Sequence, residues 1–419
     1  MTQKEDAINL HRMLRGKIEI TSRVSPDNIF DDDVGNNQGT LTSIYTPGVA
    51  FVSEEIKKNI ELAYEYTSKW NNVAIICDGT RVLGLGNIGP EAALPVMEGK
   101  SVLFKTLANV NAYPLCISMS DKSKIIEFVK SIQPSFGAIN IEDIESPKVL
   151  EIVEQLQKEL SIPVFHDDRH GTAVITLAAL INALRIVKKE IQNVKVVIAG
   201  AGSAGYGIYK ILHRVGIKDI LVLDSRGIIS SNRRDIASSL NDRSSQKNQT
   251  LLEHSTTNEF KIEIASNTNK SNVNGDIKIA LSKSDVFIGT SGIADMLNEK
   301  LIHSMNENPI IFALSNPHPE IMPEVAKKSG ASIVATGRSD FPNQINNAVV
   351  FPAIFRVLLD LRMKNLDEDI LITVSKSIAD LVDNKHLNEL YIIPKINDPR
   401  ILPIVTKSVK EYLTNQQPF

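Results

Sequence analysis

Short apolar runs alternate with segments of helical spacing through the first 165 residues of the chain. The strand-like runs cover residues 72–77, 115–118 and 138–141. Apolar residues recur with helical spacing over residues 123–132 and 147–160. Buried strands that alternate with helices are typical of parallel sheets, so this part is predicted to be a parallel sheet covered on both faces.

The second half opens with a helical pattern over residues 171–187. This helix is apolar nearly all round, so we expect it to be buried and to link two domains. A strand at 194–199, a helix at 203–215 and a strand at 220–224 follow, and this order is typical of a doubly wound nucleotide-binding fold. Further strands are expected at residues 285–290, 309–314 and 333–336.

We therefore predict an α/β protein in three parts. An N-terminal α/β domain with the substrate and metal sites spans residues 1–165, a Rossmann-type doubly wound NAD(P)-binding domain spans 166–385, and a C-terminal helical tail spans 386–419. The polar segment 229–275 is crowded with Ser, Asn and Thr, so it is expected to be a surface excursion with one short helix near residues 250–259.

Composition narrows the class of protein. A formal charge of −3 gives no reason to expect nucleic acid or an anionic membrane as a partner. The two cysteines, Cys77 and Cys116, lie in apolar runs and imply no disulfide framework. The first residues lack the apolar core of a signal peptide, and no uninterrupted apolar stretch is long enough to span a bilayer, so a cytoplasmic location is expected.

A glycine-rich turn after the strand at 194–199 predicts a dinucleotide site. Gly200 permits a tight turn, Gly202 lets pyrophosphate approach the backbone, and Gly205 permits close packing of helix on strand. The next helix begins with Ser203 and Ala204, whose free N–H groups suit phosphate. Asp224 ends the next strand, where it can bind ribose hydroxyls and favours NAD over NADP, a preference that Arg226 can soften. The alternative is a glycine turn that binds nothing.

Two acidic pairs, Glu142-Asp143 and Asp167-Asp168, each follow a strand-like run. Mg²⁺ and Mn²⁺ prefer oxygen ligands, so the pairs are candidate ligands of a divalent cation. Each pair also has a structural interpretation, because acidic residues stabilise helix N-termini and cap them.

Several longer motifs together resemble the malic enzyme family, in its short prokaryotic type. The resemblance covers residues 8 to 385. The motifs are YTPGVA at 45–50, RVLGLGNIGP at 81–90, LPVMEGK at 94–100, LFK at 103–105, INIEDI at 139–144, HDDRHGT at 166–172, SNP at 315–317 and TGRSDFPNQINN at 336–347.

The resemblance implies roles for named residues. Mg²⁺ or Mn²⁺ would be held by Glu142, Asp143 and Asp168. Lys105 would be the general base, oriented by a neighbouring Asp167, and Tyr45 the general acid. Substrate would be bound by Arg81, Asn316 and Asn347, with Asn316 also beside the nicotinamide. A homodimer or higher assembly is also implied, with Tyr45 or Lys105 supplied by the neighbouring subunit as one arrangement.

The implied reaction is the NAD(P)-dependent conversion of (S)-malate to pyruvate and CO₂. A lysine can accept the alcohol proton only if its pKa falls below about 10.4, which a nearby cation and burial both favour. A neutral tyrosine can then protonate the enolate carbon. Two alternatives stay open: a malolactic enzyme that retains NAD and releases lactate, and a catalytically silent cofactor-binding regulatory protein.

The chain departs from its relatives at a few positions. Asn87 and Asn111 stand where some relatives carry Asp, and neither has a chemical role above. Arg169 stands where Gln is common, beside Asp168, so the extra cation is expected to affect metal affinity or anion binding.

Overall fold

The computed structural model describes residues 3–24, 40–244 and 259–416. The helices of the first half are α1 (Gln3–Leu14), α2 (Thr40–Ile44), α3 (Gly48–Lys58), α4 (Ala63–Tyr66), α5 (Pro90–Ala108), α6 (Lys122–Ile132) and α7 (Lys148–Glu159). Its strands are β1 (Asn72–Cys77), β2 (Asn111–Cys116), β3 (Ala138–Glu142) and β4 (Val164–His166). Single 3₁₀ turns cover Ile60–Leu62, Ser68–Asn71 and Gln133–Ser135.

The four strands form one parallel sheet in the order β2-β1-β3-β4. The parallel sheet predicted from the apolar runs is confirmed, but β2 starts at Asn111, before the predicted residue 115. Polar Asn111 and the proline Pro114 hid this strand from the apolar pattern. Both are tolerated because β2 lies at the edge of the sheet, where a missing backbone N–H breaks no ladder.

After β4 the chain makes one turn of π-helix, Asp167–Gly171, and then a long helix. The helices of the second half are α8 (Thr172–Val187), α9 (Ser203–Arg214), α10 (Arg234–Ser244), α11 (Glu259–Asn267), α12 (Ile277–Leu281), α13 (Glu299–His303), α14 (Pro323–Lys328), α15 (Phe351–Asp360), α16 (Glu368–Asp380) and α17 (Ile401–Gln416). Its strands are β5 (Lys195–Ala199), β6 (Asp219–Asp224), β7 (Gly227–Ile228), β8 (Val286–Gly289), β9 (Ile310–Ala313) and β10 (Ile333–Thr336). Further 3₁₀ turns cover Ile191–Asn193 and Asn347–Val349.

The second sheet has the order β10-β9-β8-β5-β6-β7, in which only the short β7 runs antiparallel. The chain leaves β5 toward β6 on one side and later returns on the other side through β8. The strand order therefore reverses at β5, and ligands of open α/β sheets bind outside the carboxyl end of such a strand. Gly200 lies at that position, so the doubly wound fold predicted from the sequence is confirmed.

Helix α8 is central, as its apolar pattern predicts. By length and composition alone, Asp167–Val187 is apolar enough to cross a membrane, but 72% of the matching window is buried inside the protein. One continuous hydrophobic core contains residues of both sheets and of α8. The segment is therefore explained as a core helix.

The C-terminal helices join the two sheets. In α15, Phe351 and Phe355 contact Phe104 of α5 at ring-centroid distances of 4.7 and 5.0 Å. Helix α17 packs on α15 and α16. The boundaries 1–165, 166–385 and 386–419 stay a prediction, since these packing contacts cross both of them.

Within the described residues of the polar segment 229–275 there are two helices, α10 and α11. Most of the short helix expected near residues 250–259 lies outside the described residues, and α11 begins only at Glu259.

The glycines of the 200–205 turn make different demands on the fold. A Cβ on Gly205 would lie 1.8 Å from the carbonyl oxygen of Gly200, whereas a Cβ on Gly202 would meet nothing within 4 Å. We predict that Gly205→Ala lowers the free energy of unfolding by about 1–3 kcal/mol, because backbone must shift. The control Gly202→Ala should change it by less than about 0.5 kcal/mol. Urea denaturation measures both, and equal stability of the two variants would contradict this packing.

Candidate active site

Three carboxylates meet where the first sheet faces the second. Glu142 ends β3, Asp143 follows it, and Asp168 lies in the π-helical turn after β4. Because β3 and β4 are parallel neighbours, their carboxyl ends share one edge of the sheet. One carboxylate oxygen from each residue lies within 4.8 Å of the other two. This spacing suits a single divalent cation with oxygen ligands.

The backbone is adapted to this arrangement at two places. Asp143 has a φ of 49°, in the left-handed region that Asp tolerates better than most residues. The π-helical turn buries Asp167 completely but leaves the Asp168 side chain 40% exposed. The two adjacent carboxylates therefore have different surroundings: Asp167 lies inside the protein, and Asp168 lies at the surface of a cleft.

Mutual repulsion and burial shift the acids of the cluster. Burial, with Asp168 and Glu142 nearby, raises the pKa of Asp143 to about 8. Burial raises the pKa of Glu142 to about 7 although Lys100 opposes the shift. At Asp168 burial also acts to raise the pKa, but His166 and nearby cations outweigh it and lower the pKa. Glu142 and Asp143 therefore resist ionisation, and a bound cation would stabilise their charged forms.

Lys100 of α5 is the ammonium group inside this cluster. Its Nζ donates to Asp167 Oδ2 at 2.5 Å and also to Glu142 Oε1. The side chain is only 13% exposed. Burial alone would lower the pKa of Lys100, but Asp167 and Glu142 outweigh it and raise the pKa, so Lys100 is a cation between them.

The predicted neighbourhood of Lys105 and Asp167 is wrong. Lys105 is exposed, and its Nζ donates to Asn111 Oδ1 at 3.1 Å. The residue beside Asp167 is Lys100, to which the sequence interpretation gave no role. Helix periodicity carries the signal that was missed: Lys100 lies three residues after Met97 and four before Phe104, both fully buried, so it borders the inward face of α5.

A cavity of about 700 Å³ opens over the carboxylates. It brings together most of the predicted substrate and cofactor residues, including Arg81 opposite the acids. The predicted residues that line it are Arg81, Asp143, Asp168, Gly202, Ser203, Ala204, Asn316 and Asn347. The ends of both sheets therefore contribute to one cleft, with acids at one wall and the N-terminus of α9 at another.

A second cavity of about 530 Å³ continues from the first and shares Arg81, Gly202 and Thr290 with it. It is lined by Gly200 and by Asp224, as the dinucleotide prediction requires. Gly205 stands behind the turn, where it permits the close packing of α9. Because they share lining residues, the two cavities are adjacent.

The charges around Asp224 differ from those predicted. Arg233 binds both Asp224 oxygens, at 2.8 and 2.9 Å, and Lys261 Nζ donates to Oδ2 at 2.7 Å. Burial opposes these cations, which nevertheless lower the pKa of Asp224 to about 2. Arg226 donates its backbone N–H to Asp224 Oδ1 at 2.9 Å and its guanidinium pairs with Asp235, so its softening of the cofactor preference stays a prediction. Arg233 and Lys261 are distant in sequence, so no local motif revealed them.

Tyr45 does not line either cavity of this chain. Its side chain is 68% exposed, between the short helices α2 and α3. Exposed apolar side chains, Val49 and Phe51, follow it. Most of the predicted site residues therefore lie together around the cleft, whereas Tyr45 and Lys105 do not.

Comparison with known proteins agrees with this arrangement. A sequence model described as the NAD-binding domain of malic enzyme matches residues 170–411, and one described as the N-terminal domain of malic enzyme matches residues 27–124. A bifunctional malic/malolactic enzyme of Bacillus subtilis is 45% identical over 98% of this chain and 92% of its own length. An NAD-dependent malic enzyme of Geobacillus stearothermophilus is 43% identical over 94% of this chain and 76% of its own length.

A solved structure shows the same architecture. The NAD-dependent malic enzyme of Thermotoga maritima matches 97% of this chain and 99% of its own with a TM-score of 0.85, at 43% identity. Both halves of the chain, the assembled carboxylates and these likenesses agree. This chain belongs to the malic enzyme family.

Proposed function

We propose that this chain catalyses the oxidative decarboxylation of (S)-malate to pyruvate and CO₂, with NAD as the hydride acceptor and a divalent cation. The observation that supports this proposal most directly is the single cleft at which three carboxylates, Arg81 and the dinucleotide turn meet. Relatives at 45% and 43% identity, whose names state malic enzyme activity, support the same reaction.

The carboxylates fit Mg²⁺ or Mn²⁺. Glu142, Asp143 and Asp168 supply hard oxygen ligands within one small volume, and burial together with the neighbouring carboxylates raises the pKa of Asp143. When bound, a divalent cation supplies Lewis-acid polarisation of a substrate oxygen and, through its charge, a lower pKa for Lys100.

We assign proton transfer at the substrate alcohol to Lys100. It is the ammonium that contacts both Glu142, a proposed metal ligand, and Asp167, the neighbour of Asp168. Asp167, fully buried, is a positioning residue that fixes the ammonium by its 2.5 Å hydrogen bond. Arg81 suits a substrate carboxylate, because its guanidinium can form a paired, charge-assisted contact.

Asn316 and Asn347 complete the proposed substrate pocket. Both line the cleft beside the start of α9, where amide groups can donate to a carboxylate and accept from a hydroxyl. NAD would lie along the two connected cavities with its pyrophosphate at Gly202, Ser203 and Ala204. The cleft walls would hold the cofactor against the substrate, where it would supply the hydride acceptor.

We propose NAD as the preferred cofactor. Asp224 offers its carboxylate to ribose hydroxyls, and a 2′-phosphate would meet the same negative charge. Arg233 and Lys261 reduce that repulsion, so NADP is expected to serve as a weaker substitute.

Two free cysteines are consistent with the proposed cytoplasmic location.

We further propose that Tyr45 reaches the cleft of a neighbouring subunit in a homodimer. Tyr45 is 68% exposed and lines neither cavity of its own chain, so its side chain is available to a neighbouring subunit. Exposed Val49 and Phe51 beside it, with Leu83 and Leu85 at the cleft entrance loop, provide apolar area that a partner can cover.

The reaction is tested with metal-stripped protein, (S)-malate and NAD⁺, with and without Mn²⁺. NADH absorbance should rise only with Mn²⁺, in step with pyruvate, and Asp168→Asn should lower the rate by about 10²-fold or more because a metal ligand is lost. Lactate without net NADH would instead establish the malolactic reaction, which the Bacillus subtilis relative also performs according to its name. Metal-independent turnover would contradict the proposed site.

The two lysines of α5 separate the alternative assignments. Lys100→Met should lower kcat by about 10²–10⁴-fold, the usual contribution of a general acid or base. Lys105→Met should keep activity within about twofold, since an exposed lysine contributes little. Both variants are checked for folding by circular dichroism and for NADH binding by fluorescence. Full activity in a folded Lys100→Met variant would exclude the assignment.

Mixed dimers test the origin of Tyr45. Tyr45→Phe and Lys100→Met chains should each be nearly inactive alone. If Tyr45 acts in the partner's cleft, mixing and reassembly should restore up to about a quarter of wild-type activity, because mixed dimers contain one intact site. If activity stays at the level of the separate variants in verified mixed dimers, Tyr45 and Lys100 act within one chain.

A further inference from the structure

The turn Asp167–Gly171 has a second exposed side, away from the cleft. There Arg169 and His170 line a separate cavity of about 270 Å³. Its other walls come from α7, α8, the middle and end of α9, and the start of α16. None of the residues that line the cleft or the adjoining cofactor cavity lines this one.

Arg169 is a buried cation without a matching anion. Its residue is 7% exposed, its guanidinium lies 4.9 Å from the ring centroid of Tyr206, and its Nη1 has no hydrogen-bond partner in the described part of the chain. No ion pair involves Arg169 within residues 3–24, 40–244 and 259–416. A guanidinium cannot escape this cost by losing its proton, so burial is unfavourable unless an acceptor is supplied.

The side chains that line the cavity include one more cation than anion. Lys210 and Lys364 line it with Arg169, against two carboxylates, Asp367 and Glu368. The carboxylate of Asp367 already caps α16 by accepting from the backbone N–H of Ile370. Lys210 Nζ forms an ion pair with Glu263 Oε1 at 2.9 Å and lies 3.8 Å from Glu368 Oε1.

His170 also lines the cavity, but one of its ring nitrogens is already engaged within the protein. Its Nδ1 accepts the backbone N–H of His166 at 3.1 Å. Arg169 is therefore the unmatched cation of this cavity.

Close packing keeps Arg169 in place. A Cβ on Gly207 of α9 would lie 2.3 Å from the Arg169 carbonyl oxygen and 3.0 Å from its Cγ. The helix thus packs closely against the backbone and the Cγ of Arg169, which holds the base of the side chain at the cavity wall.

We propose that this cavity binds a small oxyanion of phosphate size, with Arg169 as the principal donor and Lys364 at the rim. Arginine matches the geometry of phosphate oxygens, and the enclosed volume suits one such group but not a dinucleotide. The site is separate from the dinucleotide turn, which lies at the N-terminus of α9. The proposal does not depend on the reaction that the cleft catalyses.

Isothermal titration calorimetry with inorganic phosphate tests the site at constant ionic strength, on the full chain without divalent metal. Wild-type protein should bind phosphate, and saturating NAD should leave that binding in place because NAD occupies the other end of α9. Arg169→Gln should weaken binding about tenfold or more, and Lys364→Gln about threefold. The control Arg362→Gln removes an exposed cation near Glu61 and should leave the affinity unchanged.

Several results would overturn the proposal: wild-type protein that does not bind phosphate, binding that NAD abolishes, or a folded Arg169→Gln variant with wild-type affinity. If Arg169→Gln does not fold, Lys364→Gln decides, because its exposed side chain is not needed for the core. Unchanged phosphate affinity in Lys364→Gln would then refute the site.

Discussion

The ion pairs of Lys100 with Glu142 and Asp167 hold the centre of this protein together. They join α5, β3 and the turn after β4, and so connect three separate parts of the first sheet's carboxyl edge. Removing one partner of a buried pair leaves an uncompensated charge, which is strongly unfavourable. Glu142 is also a proposed metal ligand, and Lys100 is the proposed proton carrier. Metal binding and proton transfer would therefore act on the same ion pairs that connect these parts of the fold.

The two sheets make this arrangement possible because their carboxyl ends face a common cleft. One sheet supplies the acids, and the other supplies the glycine turn at the point where its strand order reverses. Helix α8 starts directly after the turn that carries Asp168 and runs through the shared core. A rigid, buried helix thus fixes the distance between acids and cofactor turn, which catalysis requires to vary little.

Sequence reasoning predicted the parts of the fold that follow from local pattern. Buried strands, the apolar helix α8 and the glycine turn each have a short-range signature. Edge strand β2 has none, because Pro114 and Asn111 interrupt its apolar run. The acids and Arg81 lie within recognisable motifs and meet near the cleft. The lysine beside Asp167 was predicted to be Lys105 but is Lys100, because both lysines belong to α5 and only the helix phase places Lys100 inward. Arg233 and Lys261 reach Asp224 through tertiary packing that no single sequence segment encodes.

The most direct test of this account is anomalous diffraction from crystals of the protein soaked with Mn²⁺. A single strong peak within about 2.5 Å of carboxylate oxygens from Glu142, Asp143 and Asp168 is predicted, since Mn²⁺ takes oxygen ligands at such distances. A peak at other acids, or none at these three under saturating Mn²⁺, would contradict the claim that this cluster is the metal site around which the protein is built.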